Sequence, residues 1–349
     1  MGRSSFFPPS QADEYGNGVE ATVNSRRRPA LLKTRPLGQP FLLQCYQLMV
    51  LARCCDEEAS RLQRQGHLNS YVTLQGQEAA QIASVLAMRR RDQLFPSYRG
   101  RGVGIARFDV LGYLAWWLHA RGWLGRRWPS YAPGPICSEE VAHLLHAAGW
   151  AHGAQLAGTS DVALAYFETV VDPAEAVRFA GVFHAPVIFF CLSSDSGDQL
   201  DASLRLGRAE SCGLAAARVD GNDPVAIHKA TSAAATRARR GLGGTLIQAD
   251  CPDVLSIPHQ GLRDQPLDEL QRPDPILTLR KRLTALYGTT QDFFNEVGEM
   301  ASAAAAELRF HLTTRLVRAS AMFEQVYAEP PGDVLVEWAQ VRVGEMAHA

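Results

Sequence analysis

The sequence lacks any run of about 18 consecutive apolar residues, which is the length that a helix needs to cross a membrane. Its N-terminal stretch also lacks the apolar segment of a secretory signal peptide. From these two absences we expect a cytoplasmic protein that makes no membrane contact.

An excess of charge of either sign is also missing. The chain has 35 Lys and Arg against 36 Asp and Glu, and its formal net charge is -1. Nucleic-acid binding over the whole surface would require a basic excess, so we expect no nucleic-acid partner. The seven cysteines are odd in number and include no C-x-x-C pair. They are typical of reduced, mostly buried thiols rather than of a zinc site or a disulfide framework.

The 349 residues, 46% of them hydrophobic, are enough for a substantial core. Residues 1–40 are rich in Gly, Pro, Ser and Arg, and we expect a disordered or loosely docked arm there. The hydrophobic pattern predicts an α/β domain over 41–328 and a weakly structured C-terminal tail over 329–349.

Within that domain, short apolar runs alternate with helical patterns. The pattern predicts strands at 162–167, 186–192, 215–219 and 244–249, with helices at 173–183, 201–212 and 223–240. This alternation predicts a parallel sheet with helices on both faces. Further helices are predicted at 41–65, 76–91, about 109–121 and 139–157, which form an N-terminal helical extension, and at 275–286 and 290–325, which form C-terminal helices. Irregular stretches or loops are predicted at 95–104, 122–138 and 250–272.

Glycine is missing where a ligand-binding turn is expected. Residues 162–179, VALAYFETVVDPAEAVRF, read as a strand, a turn and a helix, with Asp172 as the cap and Pro173 in the first helical turn. Open α/β folds bind ligands at such turns, and phosphate-binding turns usually contain glycine. The turn here is Glu168-Thr169-Val170-Val171.

Four stretches carry a family resemblance. They are GQEAAQIASVLAMRRRDQLFPSYRGRG (76–102), VALAYF (162–167), RVDGNDPVAIHKA (218–230) and DPILTLRKRL (274–283). Over about residues 41–325 the chain resembles the alpha subunit of the thiamine-diphosphate-dependent first component of 2-oxo acid dehydrogenase complexes. The third stretch, with Asp220 to Asp223 after a strand, is the most specific.

The resemblance implies a thiamine-diphosphate-binding fold and a heterotetramer with a beta-type subunit; a homodimer is the alternative. In that family the alpha subunit holds the diphosphate of the cofactor and Mg²⁺, and the beta subunit supplies the glutamate that activates the cofactor's aminopyrimidine. The cofactor carries the difficult chemistry as a carbanion donor.

The two stretches that anchor the metal in this family differ here. The metal-binding aspartate of a glycine-aspartate-glycine turn falls on Thr169, and a paired asparagine falls on Ser193-Ser194. The proline-rich loop 122–138 replaces a glycine-rich loop. These differences put in question whether this chain binds thiamine diphosphate and Mg²⁺, and we assign no metal ligand. Replacement ligands from Asp172 and Asp195 are an open alternative.

Other site residues match the family. Tyr98 and Arg99 match a pair that contacts the diphosphate, and Arg101 stands where a histidine is common; these three are candidate cofactor-binding residues. His259 matches a histidine of the active-site loop and is the candidate catalytic residue. The alternatives are that Arg99 binds carboxylates at a subunit interface, that Tyr98 is a packing residue and that His259 lies on the surface.

Two other polar clusters lack the surroundings that a site requires. His143, His146 and His152 lie on one predicted helix without an evident further metal ligand, so we interpret them as structural or surface residues. Ser193-Ser194-Asp195 has no G-x-S-x-G elbow around it, which argues against an acyl-transfer nucleophile.

Three functions are compatible with these residues. The first is a degenerate alpha-type subunit that acts as a non-catalytic or scaffold partner of a beta-type subunit. The second is an active decarboxylating dehydrogenase subunit with a rearranged cofactor site. The third is a repurposed module that binds another anionic ligand in the cleft of Tyr98, Arg99, Arg101 and His259.

Overall fold

The computed structural model describes residues 37–68, 71–107, 140–193, 199–251, 274–314 and 331–347. In these ranges the helices and strands follow in this order: α1 (Gln39–Arg64), α2 (Glu78–Leu86), β1 (Gln93–Phe95), α3 (Arg101–Arg107), α4 (Glu140–Leu156), β2 (Ala163–Glu168), α5 (Ala174–Phe183), β3 (Val187–Ser193), α6 (Gln199–Ser211), β4 (Ala215–Asp220), α7 (Pro224–Arg239), β5 (Thr245–Asp250), α8 (Pro275–Tyr287), α9 (Gln291–Thr314) and α10 (Gly332–Ala347).

The five strands form one parallel sheet in the order β1-β2-β3-β5-β4. The carboxyl ends of all five strands therefore lie along the same edge of the sheet. The register aligns Glu168 with Leu192, and Ser193 and Asp220 each with Asp250. Any site built from residues that follow β1, β2 and β3 is confined to one half of this edge.

Both faces of the sheet are covered, as the apolar strands predicted. Leu164, Tyr166, Ile188, Phe190 and Ile247 pack with residues of α1, α2, α7, α8 and α9 in one buried cluster. Alternate strand residues, including Ala165, Phe167 and Phe189, pack with residues of α4, α5 and α6 in a second buried cluster. The predicted α/β class, with helices on both faces, is confirmed.

The structure corrects three predictions of local structure. Residues 101–107 form α3, although the glycines of 95–104 predicted an irregular stretch. Those glycines permit close packing instead, since a Cβ on Gly102 would lie 2.8 Å from Oε1 of Gln81. The helix predicted over 76–91 ends at Leu86, before the three arginines.

The third correction concerns the end of the chain. Residues 332–347 form α10, although a weakly structured tail was predicted. Leu335, Val336 and Val343 are 47%, 57% and 62% exposed, whereas Val334, Trp338 and Val341 are half-buried. The spacing of these three residues places them on one face of the helix, and the prediction missed that pattern.

Several predictions fall outside the described residues: the arm up to residue 36, the helix at 109–121, the loop at 122–138, most of the loop at 250–272, Ser194, Asp195 and His259. Over the parts of the chain that are described, no helix is long and apolar enough to cross a membrane. Six cysteines fall in those parts and all six are free thiols, four of them buried, in agreement with the sequence.

Candidate functional site

The candidate site lies at the carboxyl ends of β1, β2 and β3. Residues 96–99 follow β1, Glu168 ends β2 and Ser193 ends β3. Tyr98 and Arg99 therefore reach the same edge as the turn 168–172, as expected for a ligand-binding crevice in an open α/β sheet.

Arg99 and Glu168 form the central contact of this site. Nη1 of Arg99 lies 3.6 Å from Oε2 of Glu168, and the two side chains are 9% and 15% exposed. Nε of Arg99 donates to the carbonyl oxygen of Thr73 at 2.7 Å. Gln77 Nε2 lies 3.2 and 3.3 Å from the two carboxylate oxygens of Glu168. The guanidinium is thus held by an anionic side chain of its own chain.

Two glutamine side chains, of Gln77 and Gln81, connect to this ion pair through hydrogen bonds. Nε2 of Gln81 donates to Oε1 of Gln77 at 3.0 Å and to the carbonyl oxygen of Arg99 at 3.2 Å. Oε1 of Gln81 accepts a bond from the backbone N–H of Gly102 at 2.9 Å. Gln77 and Gln81 are buried, so these bonds fix the backbone of residue 99 and the side chain of Glu168 together.

Arg101 lies beside two aromatic rings. Its guanidinium carbon lies 4.0 Å from the ring centroid of Tyr71 and 5.3 Å from that of Tyr98. Nη1 donates to the carbonyl oxygen of Val72 at 2.9 Å. These are the distances of cation–π contacts, and they tie Arg101 to residues 71–72. The structure therefore brings Tyr98, Arg99 and Arg101 together, with Arg99 and Arg101 both bonded to backbone carbonyls of residues 72–73.

The turn after β2 is open to solvent. Val170 is 92% exposed, and the carbonyl oxygen of Thr169 accepts a bond from Nη2 of Arg205 at 3.4 Å. Oδ1 of Asp172 accepts a bond from the N–H of Ala174 at 3.0 Å. The N-cap of α5 is Pro173 rather than the predicted Asp172, so Asp172 lies one residue before the cap. Each carboxylate of this turn thus has a partner within the protein.

A buried thiol lies close to the same charges. Burial raises the pKa of Cys251 well above its ordinary value; the charge of Glu168 raises it further, and that of Arg99 opposes the rise. The backbone N–H of Cys251 donates to the carbonyl oxygen of Ser193 at 2.7 Å. This thiol stays protonated, so it acts as a packing group rather than as a nucleophile.

Sequence reasoning missed the partners of the site residues. It noted Glu168 as part of the turn but did not pair it with Arg99, and it did not single out Thr73, Gln77 or Cys251. Gln77 stands in the GQEA run of the first family stretch, which was the available signal. The other contacts depend on strand order, which no local pattern specifies.

The Asp220–Asp223 turn has a structural explanation. The N–H of Asn222 donates to Oδ1 of Asp220, and the N–H of Val225 donates to Oδ1 of Asp223, both at 2.9 Å. A Cβ on Gly221 would lie 2.7 Å from the carbonyl oxygen of Asp250. Capping of α7 and close packing against β5 therefore account for this family signature.

The histidines of α4 have no common role. Nε2 of His143 lies 2.6 Å from the carbonyl oxygen of Tyr166, and burial lowers the pKa of this residue. His146 is exposed, and His152 packs against Phe179 and Phe183 with ring centroids 5.8 and 4.7 Å apart. In the described ranges no three His, Cys, Asp or Glu side chains are placed to hold a metal ion.

Comparison with known proteins gives the family. The model of the dehydrogenase E1 component matches residues 46–285. The 3-methyl-2-oxobutanoate dehydrogenase subunit alpha of Mycobacterium tuberculosis is 34% identical over 244 residues, which are 66% of this chain and 65% of that protein. The chain thus spans about two thirds of that relative's length.

Two other relatives are matched over more of their length. The 2-oxoisovalerate dehydrogenase subunit alpha of Pseudomonas aeruginosa is 30% identical over 330 residues, or 84% of this chain and 80% of the relative. The pyruvate dehydrogenase E1 component subunit alpha of Staphylococcus aureus is 28% identical over 360 residues, or 96% and 93% of the two chains. With the parallel α/β sheet, these matches show that the chain belongs to the dehydrogenase E1 component family, as a divergent alpha subunit.

Proposed function

We propose that this chain is a non-catalytic or scaffold alpha-type subunit, which assembles with a beta-type subunit and does not bind thiamine diphosphate and Mg²⁺ in the manner of its family. The ion pair between Arg99 and Glu168 is the observation that carries this proposal. Arg99 stands where the resemblance places a diphosphate contact, and its partner here is a carboxylate of the same chain.

The charge of Glu168 opposes a bound diphosphate. A phosphate oxygen that reached Arg99 would lie within a few ångströms of this carboxylate, which Gln77 holds in place. Two like unit charges about 4 Å apart repel by about 4 kcal/mol at the effective dielectric constant of a protein surface. The diphosphate would have to displace the carboxylate or tolerate this repulsion.

The donor set at the turn does not fit a Mg²⁺ site. Mg²⁺ prefers carboxylate and other oxygen ligands in near-octahedral geometry. Thr169 offers an uncharged hydroxyl at the position of the family's aspartate, while Asp172 accepts a bond from the N–H of Ala174 and Glu168 pairs with Arg99.

Calorimetric titration of the purified chain with its beta-type partner tests the proposal. We expect no heat that depends on both thiamine diphosphate and Mg²⁺ at micromolar concentrations. Arg99→Gln serves as the matched variant. If Arg99 does not bind the diphosphate, any weak heat of binding should be the same in the wild-type protein and in this variant. Micromolar, Mg²⁺-dependent binding that Arg99→Gln abolishes would contradict the proposal.

Retention of Tyr98 and Arg99 at the sheet edge favours a second candidate, an active subunit with a rearranged cofactor site. In that case Tyr98, Arg99 and Arg101 bind the cofactor and His259 acts in catalysis. Arg99→Ala and His259→Ala should each then abolish decarboxylation by the reconstituted pair. A wild-type pair that is inactive on a panel of 2-oxo acids argues against this second candidate.

A further inference from the structure

A cleft of about 630 Å³ opens between α5 and α6, on the face of the sheet that α4, α5 and α6 cover. The turn 169–173 and the first turns of α5 form one wall, and residues 204–212 form the other. Its size is that of ordinary small-molecule sites, which occupy about 300–1,000 Å³. Arg99 and Arg101 are not among the residues that line it.

Three arginines face this cleft. Arg178 comes from α5, and Arg205 and Arg208 come from α6, where a spacing of three residues places them on one side of the helix. Asp172 is the one acidic residue among those that line the cleft, and its Oδ1 accepts a bond from the N–H of Ala174. The residues that line the cleft therefore include three basic side chains and one acidic side chain, whereas the whole chain has almost equal numbers of the two.

The arginines differ in how they are held. Nη1 of Arg205 donates to Oε1 of Gln248 at 2.9 Å, and Nη2 donates to the carbonyl oxygen of Thr169 at 3.4 Å. The side chains of Arg178 and Arg208 have no hydrogen bond or ion pair with any part of the chain that the structure describes. One guanidinium is thus oriented in advance, while the other two are available to a ligand.

Apolar side chains also line the cleft between these polar groups. Val171, Val177, Leu204 and Leu246 line the cleft, and Leu204 is 52% exposed. A guanidinium binds carboxylate and phosphate groups through two parallel hydrogen bonds. Basic groups above apolar walls suit a ligand with an anionic head and an apolar body.

We propose that the cleft between α5 and α6 binds a small organic dianion, through the guanidinium groups of Arg178 and Arg208 and beside the fixed Arg205. The shared chemistry is a doubly charged oxyanion head, of a phosphate monoester or a dicarboxylate, on an apolar body. This inference goes beyond the proposed function, because its arginines are not those of the cofactor position, although the turn 169–173 borders both.

Calorimetry with the full chain tests the proposal, in chelator and at constant ionic strength. The probes are phenyl phosphate, inorganic phosphate and phenylsuccinate, with sodium chloride as the ionic control. We expect one of the two organic probes, phenyl phosphate or phenylsuccinate, to bind more tightly than inorganic phosphate; which of the two binds shows the preferred head group. That probe should also raise the melting temperature more than chloride does. Because a charge-assisted bond is lost, Arg208→Gln should weaken that binding about tenfold.

Two matched variants make the test specific. Arg240→Gln removes the same charge from an exposed position after α7 and should leave binding unchanged. Arg99→Gln should also leave binding unchanged, which separates this cleft from the cofactor position. The proposal is overturned if chloride acts like the probes, if Arg208→Gln binds normally, or if Arg99→Gln abolishes binding. It is also overturned if neither phenyl phosphate nor phenylsuccinate binds the full chain.

Discussion

A single side chain, Glu168, places a negative charge beside Arg99 in the candidate site. Its carboxylate lies 3.6 Å from Nη1 of Arg99 and accepts bonds from Gln77. The resemblance places a glycine at this position, and a glycine could not supply that charge. Arg99 is therefore a member of an internal ion pair, and its presence alone does not indicate a phosphate site.

Removal of Glu168 should destabilise the protein. Glu168→Ala leaves the guanidinium of Arg99, which is 9% exposed, without its carboxylate partner. An unpaired and largely buried charge costs several kcal/mol, but the bond to Thr73 remains, so we expect a loss of about 2 kcal/mol. Urea denaturation measures this change. Glu175→Ala, on the exposed first turn of α5, is the control and should change stability by less than about 0.5 kcal/mol. Equal effects of the two changes would refute a stabilising ion pair.

His143 should make stability depend on pH. Burial lowers its pKa, while the unfolded chain takes up the proton near pH 6.5. Below about pH 6.5 the unfolded state binds more protons, so the native state loses stability as the pH falls. The burial of His228 acts in the same direction. We expect the melting temperature to fall between pH 7.5 and pH 5.5.

The variant His143→Gln should reduce the slope of melting temperature against pH without removing it, because His228 remains. His146→Gln, which changes an exposed histidine on the same helix, should keep the wild-type slope. Identical slopes in all three proteins would contradict the role assigned to His143.

Sequence alone identified Tyr98, Arg99 and Arg101 but not what they contact. Phe95 pairs with Ala165, and this register brings the segment after β1 beside the end of β2. Thr73, Gln77 and Glu168 meet Arg99 only because β1, α2 and β2 pack together. Such contacts join distant parts of the chain, so no local pattern specifies them.

At the scale of elements, alternation of apolar runs and helical patterns predicted β2 to β5 to within a residue or two. The same reasoning missed β1, which has only three residues, Gln93 to Phe95. It also missed α3, where glycines that serve close packing resemble a loop. A prediction from hydrophobic periodicity needs several residues and an apolar face. The strand β1 is too short for this, and the glycines of α3 interrupt its apolar face.

The turn between β4 and α7 offers a test of an element junction. A Cβ at Gly221 would lie 2.7 Å from both the carbonyl oxygen of Asp250 and Sγ of Cys251. Gly221→Ala should therefore cost about 1–3 kcal/mol of unfolding free energy through overpacking. Gly207→Ala is the matched control, because a Cβ there meets nothing within 4 Å and alanine favours α6. Chemical denaturation should show a lower free energy of unfolding for Gly221→Ala and a higher one for Gly207→Ala. A neutral Gly221→Ala would show that the family signature is kept for another reason.

At the scale of the whole molecule, the charge of Arg99 at the sheet edge that the resemblance assigns to the cofactor is paired within the chain. Arg99, Glu168, Gln77 and Gln81 bond to one another. Arg99 therefore needs no bound diphosphate to compensate its charge. Association with a partner subunit should then be independent of cofactor.

Native mass spectrometry of the chain with its beta-type subunit tests this expectation. We expect the mass of a heterotetramer in chelator, and the same mass after thiamine diphosphate and Mg²⁺ are added, because the charge of Arg99 is already paired with that of Glu168. The chain without the beta-type subunit is the control, since a homodimer there would show self-association. Subunits that separate in chelator and reassemble only with cofactor and Mg²⁺ would mean that the cofactor joins them, and the scaffold function would then be wrong.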